Sequence, residues 1–435
     1  LRQVWELAYP VVITMASVSL MGVTDTLFMG RVGTAEQAAV GLGAVLGWTL
    51  LSFFNGTLSI GSTFVAQFFG AGRKAECARV VWQLFYLVGI FSLATLAGLV
   101  PFSEPLVQLL GAQESISGFA TQYLSIRLAG GPLIFAIYAV VGFLRGIGDT
   151  RTPMKITLAA NALNIALTWF LVFGPPALGV RGAALGTVLA QTAELGLYLA
   201  VFFGKKTHAD FKSRHAEKPD GQLLLRILRV GIPSGVWWVL EMGGFTVFSA
   251  YVATLGKVPM AGHQIVRQLV HLSFLPGVAL SVAAATLVGQ YIGAGNIPAA
   301  ERSARASIRI GLLIMGGMGL VFVLGRNLLA RLFSQDPQVI EIASRLFFFA
   351  AFFQLFDALG TVASGALRGA GDTRFPMTVS LILTWAVFVP GVIILGGPAG
   401  LGVYGAWTAA TVYICLDGLV IYGRFLRGKW QYLRI

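Results

Sequence analysis

Five carboxylates stand inside long apolar runs of this 435-residue chain: Asp25, Glu194, Glu241, Asp357 and Asp417. A charge in such a setting is expensive to keep, and it marks a functional position by default. A carboxylate withdrawn from water is relieved by a proton, a Na+ ion or a cationic substrate. Glu241 and Asp357 each lie about fourteen residues into their runs, ~21 Å along a helix and so near mid-membrane. Asp25 lies in the outer part of the first run. Asn161, Asn164 and Thr168 share one helix face at spacings of three and four, and Thr187 on the next run adds a hydroxyl. Those oxygens suit a hard cation. They suit hydrogen bonds between helices equally well, and both readings stay open.

Other side chains near the acids are candidates for holding a substrate. Trp237, Trp238, Phe352, Phe353 and Phe356 flank Glu241 and Asp357. Where such rings face a cleft they can hold an organic cation by cation–π contact; elsewhere they pack or face lipid. His263, Arg267 and His271 form a stripe at i, i+4 and i+8. Two histidines two turns apart, with an Arg between them, make a poor metal site. Arg267 either reaches outward to the membrane surface or faces a cleft and pairs with an acid. No nucleotide-binding Gly-Lys-Ser/Thr loop, HExxH motif or cysteine cluster is present, so no enzyme and no cofactor is expected. Cys77 and Cys415 support neither a disulfide framework nor a metal site.

The elements that carry these residues are membrane helices. Apolar residues make up 56% and charged residues only 11%, against about 25% charged in a soluble domain. A spanning helix needs roughly 20 apolar residues. Twelve runs qualify, near 7–29, 38–69, 77–100, 119–143, 154–174, 180–203, 227–255, 260–292, 304–325, 343–366, 377–396 and 402–424. Pro10, Pro132, Pro233, Pro276 and Pro390 predict kinks, some of them hinges. The chain opens at Leu1 rather than at a Met, and further N-terminal residues are expected; the first apolar run serves as the insertion signal.

The chain is a duplication. Leu144-Arg145-Gly146-Ile147-Gly148-Asp149-Thr150-Arg151-Thr152-Pro153-Met154 returns as Leu367-Arg368-Gly369-Ala370-Gly371-Asp372-Thr373-Arg374-Phe375-Pro376-Met377, 223 residues later. The same offset joins Pro10 to Pro233, Gln67 to Gln290 and Gly174-Pro175 to Gly397-Pro398. A repeat of this length is a duplicated domain. The expected organisation is a six-helix bundle over 1–203, a hydrophilic linker over 204–221 and a second six-helix bundle over 222–435. The repeated LRGxGDT motif reads first as a turn, with its Arg and Asp side chains able to pair across it.

Of 31 Lys and Arg, 23 fall on one side if both termini are cytoplasmic, from Arg2 through the linker to Arg434. Seven fall on the other, namely Arg31, Arg127, Arg181, Lys257, Arg326, Arg331 and Arg345, and Arg267 lies within a span. The positive-inside rule therefore places the termini and the linker in the cytoplasm of a multi-pass inner-membrane protein. The net charge of +13 is topological, and no nucleic-acid partner is expected. Six spans per copy make the repeats parallel, related by a pseudo-two-fold axis along the membrane normal, with a central cleft suited to alternating access.

Duplication also sorts the acids. Glu194 maps onto Asp417, an acid onto an acid, which suggests one structural job done twice beside a nearby Arg. Asp25 maps onto Phe248, Glu241 back onto Val18 and Asp357 back onto Ile134. A charge kept in one copy only is hard to explain as scaffold, so these three are the functional candidates.

At this point the chain resembles the multidrug and toxic compound extrusion (MATE) family, bacterial type, over essentially its whole length. The carriers are residues 363–377, their first-half copy, Met21-Gly22-Val23-Thr24-Asp25-Thr26, Glu241, and Gln354-Leu355-Phe356-Asp357. The resemblance implies an all-α integral membrane protein and export of organic, often cationic, compounds, driven by H+ or Na+. It implies that Asp25 is the first-bundle acid, with Asn164 and Thr187 as ion-binding neighbours, and that Glu241 and Asp357 are the second-bundle acids. Many members carry Asp where this chain has Thr168, so one hard anionic oxygen is missing here and H+ is favoured over Na+. Gln354, Phe353, Trp238, His263 and Arg267 are the expected cleft residues, and Pro10 the expected hinge. A Na+ ion would sit at Asp25, Asn164 and Thr187, or at Glu241 and Asp357. Small organic cations and membrane lipids are the expected partners of a monomer. The competing reading is a lipid or lipid-linked-sugar flippase, which would be expected to have a cationic cleft.

Overall fold

The computed structural model describes residues 1–109 and 113–433; Arg434 lies outside them. Among the described residues the regular structure is helical throughout. In hydrocarbon every backbone group must find its partner inside the chain, and a helix achieves this within one segment. Eleven helices are long and apolar enough to span a membrane. They are α1 (Arg2–Val32), α2 (Thr34–Gly70), α3 (Lys74–Leu109), α5 (Arg151–Phe173), α6 (Gly179–Phe202), α7 (Gly221–Thr254), α8 (Lys257–Gly293), α9 (Ile297–Phe333), α10 (Pro337–Gly369), α11 (Arg374–Gly396) and α12 (Gly402–Leu426). Glu114–Ala129 and Gly131–Gly146 form a twelfth, α4, bent by 43°. Gly130, Gly131 and Pro132 stand at the bend, the residues that weaken a helix there. All twelve expected runs are helical. Most helices begin or end a turn beyond the apolar windows, because charged turns such as Arg2–Glu6 continue the helix past the hydrocarbon.

By packing, the chain forms two compact units, one of residues 13–235 and one of residues 1–12 with 236–435. The two cuts are 223 residues apart, at equivalent positions of the repeat. Pro10 and Pro233 precede them by two residues each. The start of α7 packs with the first unit through its glycines. A Cβ on Gly231 would lie 2.7 Å from the Thr57 carbonyl oxygen, and one on Gly235 would lie 2.4 Å from that of Phe53.

The duplicated motif closes two matching turns. Gly148 and Gly371 adopt φ of 89° and 90°, a conformation that favours glycine. The Asp149 and Asp372 amides donate to the Leu144 and Leu367 carbonyls at 2.8 and 2.9 Å. Both motif aspartates are engaged. Asp149 accepts from the Thr152 amide at 2.9 Å, and Asp372 accepts from Arg424 of α12 at 2.9 Å. The repeat counterpart of Arg424 is Val201, an uncharged residue.

The linker is less free than its polarity suggests. Gln83 and Trp82 of α3 donate to the Lys218 and Ser213 carbonyls at 3.0 and 3.1 Å. Arg79 pairs with Asp220 at 2.9 Å. Ser213 is buried, its hydroxyl donating to the Phe202 carbonyl. Polar backbone and side-chain groups of this stretch are thus spent on α3 and α6 rather than on water.

Glu217 remains exposed and is the reporter of choice for topology. In intact cells, Glu217→Cys should react with a membrane-permeant thiol reagent and resist an impermeant one. Equal labelling by both would reverse the cytoplasmic assignment.

Candidate functional site

In the first unit, α1 and α5 run side by side. Asn161 donates to the Ser17 hydroxyl at 2.6 Å, and further along Phe28 meets Phe173 edge-on with centroids 5.8 Å apart. Asp25 lies on α1 between those two contacts. It is buried, and its Oδ1 has no hydrogen-bond partner. Thr168 Oγ1 and Asn164 Oδ1 are likewise buried and without a partner. The Asn164 amide donates to Thr187 Oγ1 at 3.2 Å, which itself donates to the Ala183 carbonyl. Gly186 makes this approach possible, since a Cβ there would lie 2.6 Å from Thr168 Oγ1. Buried oxygens left unpaired are unusual and costly. Here three of them sit on α1 and α5 at neighbouring levels. Arg127 of α4 lies within electrostatic reach of Asp25 and bonds the side chain of Gln191 at 3.1 Å.

The second unit gathers carboxylates. Glu241 of α7 accepts from the Tyr413 hydroxyl at 3.2 Å. Tyr413 in turn accepts from Thr384 at 3.4 Å. One turn before Glu241, Trp237 donates to Ser380 Oγ at 2.8 Å, and Ser380 donates to Asp417 at 3.2 Å. Asp357 accepts from Thr361, one turn on, at 3.2 Å. Two glycines press α10 against α12. A Cβ on Gly418 would lie 2.3 Å from the Phe356 carbonyl, and one on Gly360 would lie 2.9 Å from Gly418 Cα and 3.5 Å from Asp417 Oδ2. Glu241, Asp357 and Asp417 therefore share one neighbourhood and feel one another's charge. All three are half-buried. Residues 383–388 of α11 form a π-helical turn, a feature common at functional sites, and Thr384 lies within it.

Symmetry survives in one hydrogen bond. Thr157 donates to Glu194 at 2.8 Å, and its counterpart Ser380 donates to Asp417. The repeated acid is held by a hydroxyl one helix earlier, where a nearby Arg was expected. Among the described residues neither acid forms an ion pair. Asp417 has the inherited bond and, in addition, the company of Glu241 and Asp357. Tyr413 could have been found in the sequence, because its repeat counterpart is Ala190 and it breaks symmetry as the acids do.

The residues expected at the cleft have the following surroundings. His263 is fully buried; Trp407 Nε1 donates to its Nδ1 at 3.2 Å, and Ser249 meets its Nε2 at 3.2 Å. With Nδ1 accepting, the proton sits on Nε2 and the ring is neutral. Phe353 is buried against Trp407, with near-parallel rings at 6.4 Å. Both belong to the apolar core of this unit. Gln354 is buried, bonded to Ser273 through its amide nitrogen and unpaired at Oε1. Arg267 is exposed and bonds Gln264 on its own helix at 2.9 and 3.1 Å, with no acid beside it. Trp238 is half-buried beside Trp237, centroids 6.3 Å apart.

A family model described as MatE matches residues 10–170 and 233–393, two stretches again 223 apart. Over 99% of its length the chain is 32% identical to a protein called probable multidrug resistance protein NorM of Thermotoga maritima, covering 93% of it. It is 29% identical to the multidrug resistance protein MdtK of Yersinia pseudotuberculosis, over 95% of this chain and 94% of that one. A solved multidrug resistance MATE family transporter in its outward-facing conformation superposes with a TM-score of 0.89, at 22% identity, over 98% of this chain and 95% of that one. The matched family and the relatives define the class as membrane transporters. The chain belongs to the MatE family of membrane transporters.

A core role for His263 has a direct check. His263→Phe leaves Trp407 Nε1 and Ser249 without a partner and should cost about 1–3 kcal/mol. It should lower the melting temperature in detergent while leaving the substrate affinity of the folded fraction unchanged. A stable variant with weakened substrate binding would return His263 to a cleft.

Proposed function

We propose that this protein is an ion-gradient-driven antiporter of the cytoplasmic membrane, exporting organic cations by alternating access as a monomer. The observation that carries the reading is the group Glu241, Asp357 and Asp417. Three carboxylates share a half-buried site, and among the described residues none is in an ion pair. Such a group calls for a cation from outside the protein. A proton, Na+ and an organic cation all qualify, and that common demand is what antiport requires. A ligand shifts a conformational balance only by its differential affinity for the two states, so two cations that cannot occupy the carboxylates together exchange in alternation.

The second-unit acids carry the coupling. Asp25 has neutral Asn164, Thr168 and Thr187 as its candidate ion neighbours, and Arg127 within electrostatic reach takes up part of its charge. H+ is the favoured ion, because Thr168 withholds an anionic oxygen that Na+ would want. Asp25 tunes the bending of α1, with Pro10 as the hinge. The names of the relatives, multidrug resistance proteins, agree with a broad range of small organic substrates. A lipid flippase would need basic residues to meet phosphate, whereas the group that carries this reading is acidic.

Drug efflux from proteoliposomes, driven separately by a pH gradient and a Na+ gradient, tests this. Wild type should run on the pH gradient, Glu241→Gln/Asp357→Asn should fold but lose gradient-driven efflux, and Asp25→Asn should keep a reduced rate. Abolition by Asp25→Asn with the double variant still driven would reverse the site assignment. Efflux on Na+ alone would overturn the proton preference.

The two acids kept by duplication give a second check. Glu194→Gln weakens a buried bond to Thr157 and should reduce the yield of folded protein; a well-folded, transport-dead Glu194→Gln would show that Glu194 belongs to the transport machinery.

A further inference from the structure

We propose that the loop joining α9 to α10 and the flanking helix ends form a binding site for the phosphate of an anionic phospholipid. The site is a cavity of about 890 Å³ within one packing unit, lined among others by Arg326, Arg331, Ser334, Glu341, Arg345 and Phe348. Its charged lining residues are three arginines and one glutamate, a net +2. Arg is the side chain that meets phosphate with a planar fork of donors.

Three observations point to a ligand rather than to chance. The first is topology. The site lies on the side opposite the LRGxGDT turns, where the chain places only seven of its 31 basic residues. Three of those seven converge on this one cavity. Orientation alone disfavours basic residues on that side, so something else retains them.

The second is the repeat. The counterparts of Arg326, Arg331 and Arg345 are Ser103, Gln108 and Gln122, all uncharged. The charges belong to one copy only and are not needed to close the corresponding turn of the other.

The third is how the arginines are held. The Arg326 guanidinium lies over the Phe348 ring, 4.4 Å from its centroid, a contact that fixes the side chain and leaves donors free at its edge. Arg345 pairs with Glu341 and lies 5.8 Å from the Tyr404 centroid. Arg331 is exposed. Asp336 already caps the start of α10 through the Gln338 amide at 2.8 Å, so anion recognition falls to the arginines and not to the helix end.

A lipid is favoured over free phosphate by what adjoins the cavity. Leu320, Leu324, Leu328 and Leu332 form a stripe at four-residue spacing on α9, 59–77% exposed, which runs toward Arg331 and the cavity. An acyl chain can follow that stripe while its phosphate sits among the arginines. Free phosphate would make no use of it.

The test measures binding to the purified full-length chain in detergent, by native mass spectrometry and thermal shift. The probes are phosphatidylglycerol, phosphatidylcholine and inorganic phosphate. Phosphatidylglycerol should bind and raise the melting temperature; phosphatidylcholine and inorganic phosphate should bind at least about tenfold more weakly. Arg331→Gln, an exposed surface change, should weaken phosphatidylglycerol about tenfold, the loss of one charge-assisted hydrogen bond, and Arg331→Lys should restore part of it. Arg326→Gln/Arg331→Gln/Arg345→Gln should abolish the preference for phosphatidylglycerol. Equal binding of the two lipids, tighter binding of inorganic phosphate, or an unchanged phosphatidylglycerol affinity in Arg331→Gln would each overturn the proposal. Transport activity enters none of these readouts, so the result is independent of the coupling chemistry.

Discussion

Carboxylates held in membrane helices without basic partners are the constraint on which the rest of this structure turns. Transferring an isolated carboxylate out of water costs several kcal/mol even after relaxation. Glu241, Asp357 and Asp417 share that cost, and among the described residues each is met by a hydroxyl: Tyr413, Thr361 and Ser380. A hydroxyl donates one hydrogen bond and leaves the charge in place. The surrounding helices must therefore hold the group together against its own repulsion. The close contact of α10 with α12 at Gly360 and Gly418 does part of this, because no other residue type would let the two backbones approach so far.

Duplication explains which parts of that arrangement are old and which are special to one copy. The hydroxyl-to-acid bond from the fifth span of each repeat to the sixth is present twice, as Thr157 to Glu194 and as Ser380 to Asp417. In the first copy it is flanked by Tyr198 at 3.1 Å from Thr157. In the second copy Trp237, Glu241 and Tyr413 stand around it. The same bond thus stands beside Tyr198 in one copy and at the edge of an acid cluster in the other.

Much of this was legible in the sequence. The 223-residue offset needed only residue identities, and the spans needed only runs of apolar residues, which lipid makes nearly synonymous with helices. The three symmetry-breaking acids stood out for the same reason. What was not legible depends on which way a helix face turns. His263 and Phe353 carry residue types that suit a cleft, yet both lie in the packed core with Trp407. Arg267 lies exposed, bonded to Gln264 one turn before it. Repeat symmetry pairs Asp417 with Glu194 but does not reveal that Glu241 and Asp357 adjoin it. The linker read as an open loop because composition shows polarity but not partners, and its partners lie on α3, more than 130 residues earlier.

The two units place unpaired oxygen differently, and that difference bears on mechanism. In the first, the orphaned atoms are Asp25 Oδ1, Asn164 Oδ1 and Thr168 Oγ1, all deeply buried, with one formal charge among them. In the second, up to three charges lie half-open, and each has an oxygen already engaged by a hydroxyl. A small ion that sheds its water can satisfy the first arrangement, because neutral oxygens replace hydration one for one. The second arrangement answers to charge more than to geometry, since Coulomb attraction in a poorly hydrated site outweighs the loss of any single ligand. A bulky organic cation, which cannot be enclosed by a few oxygens, therefore has more to gain from the second. Thr168 Oγ1 adds a neutral oxygen to the first unit, where Asp25 is the one acid among these buried atoms.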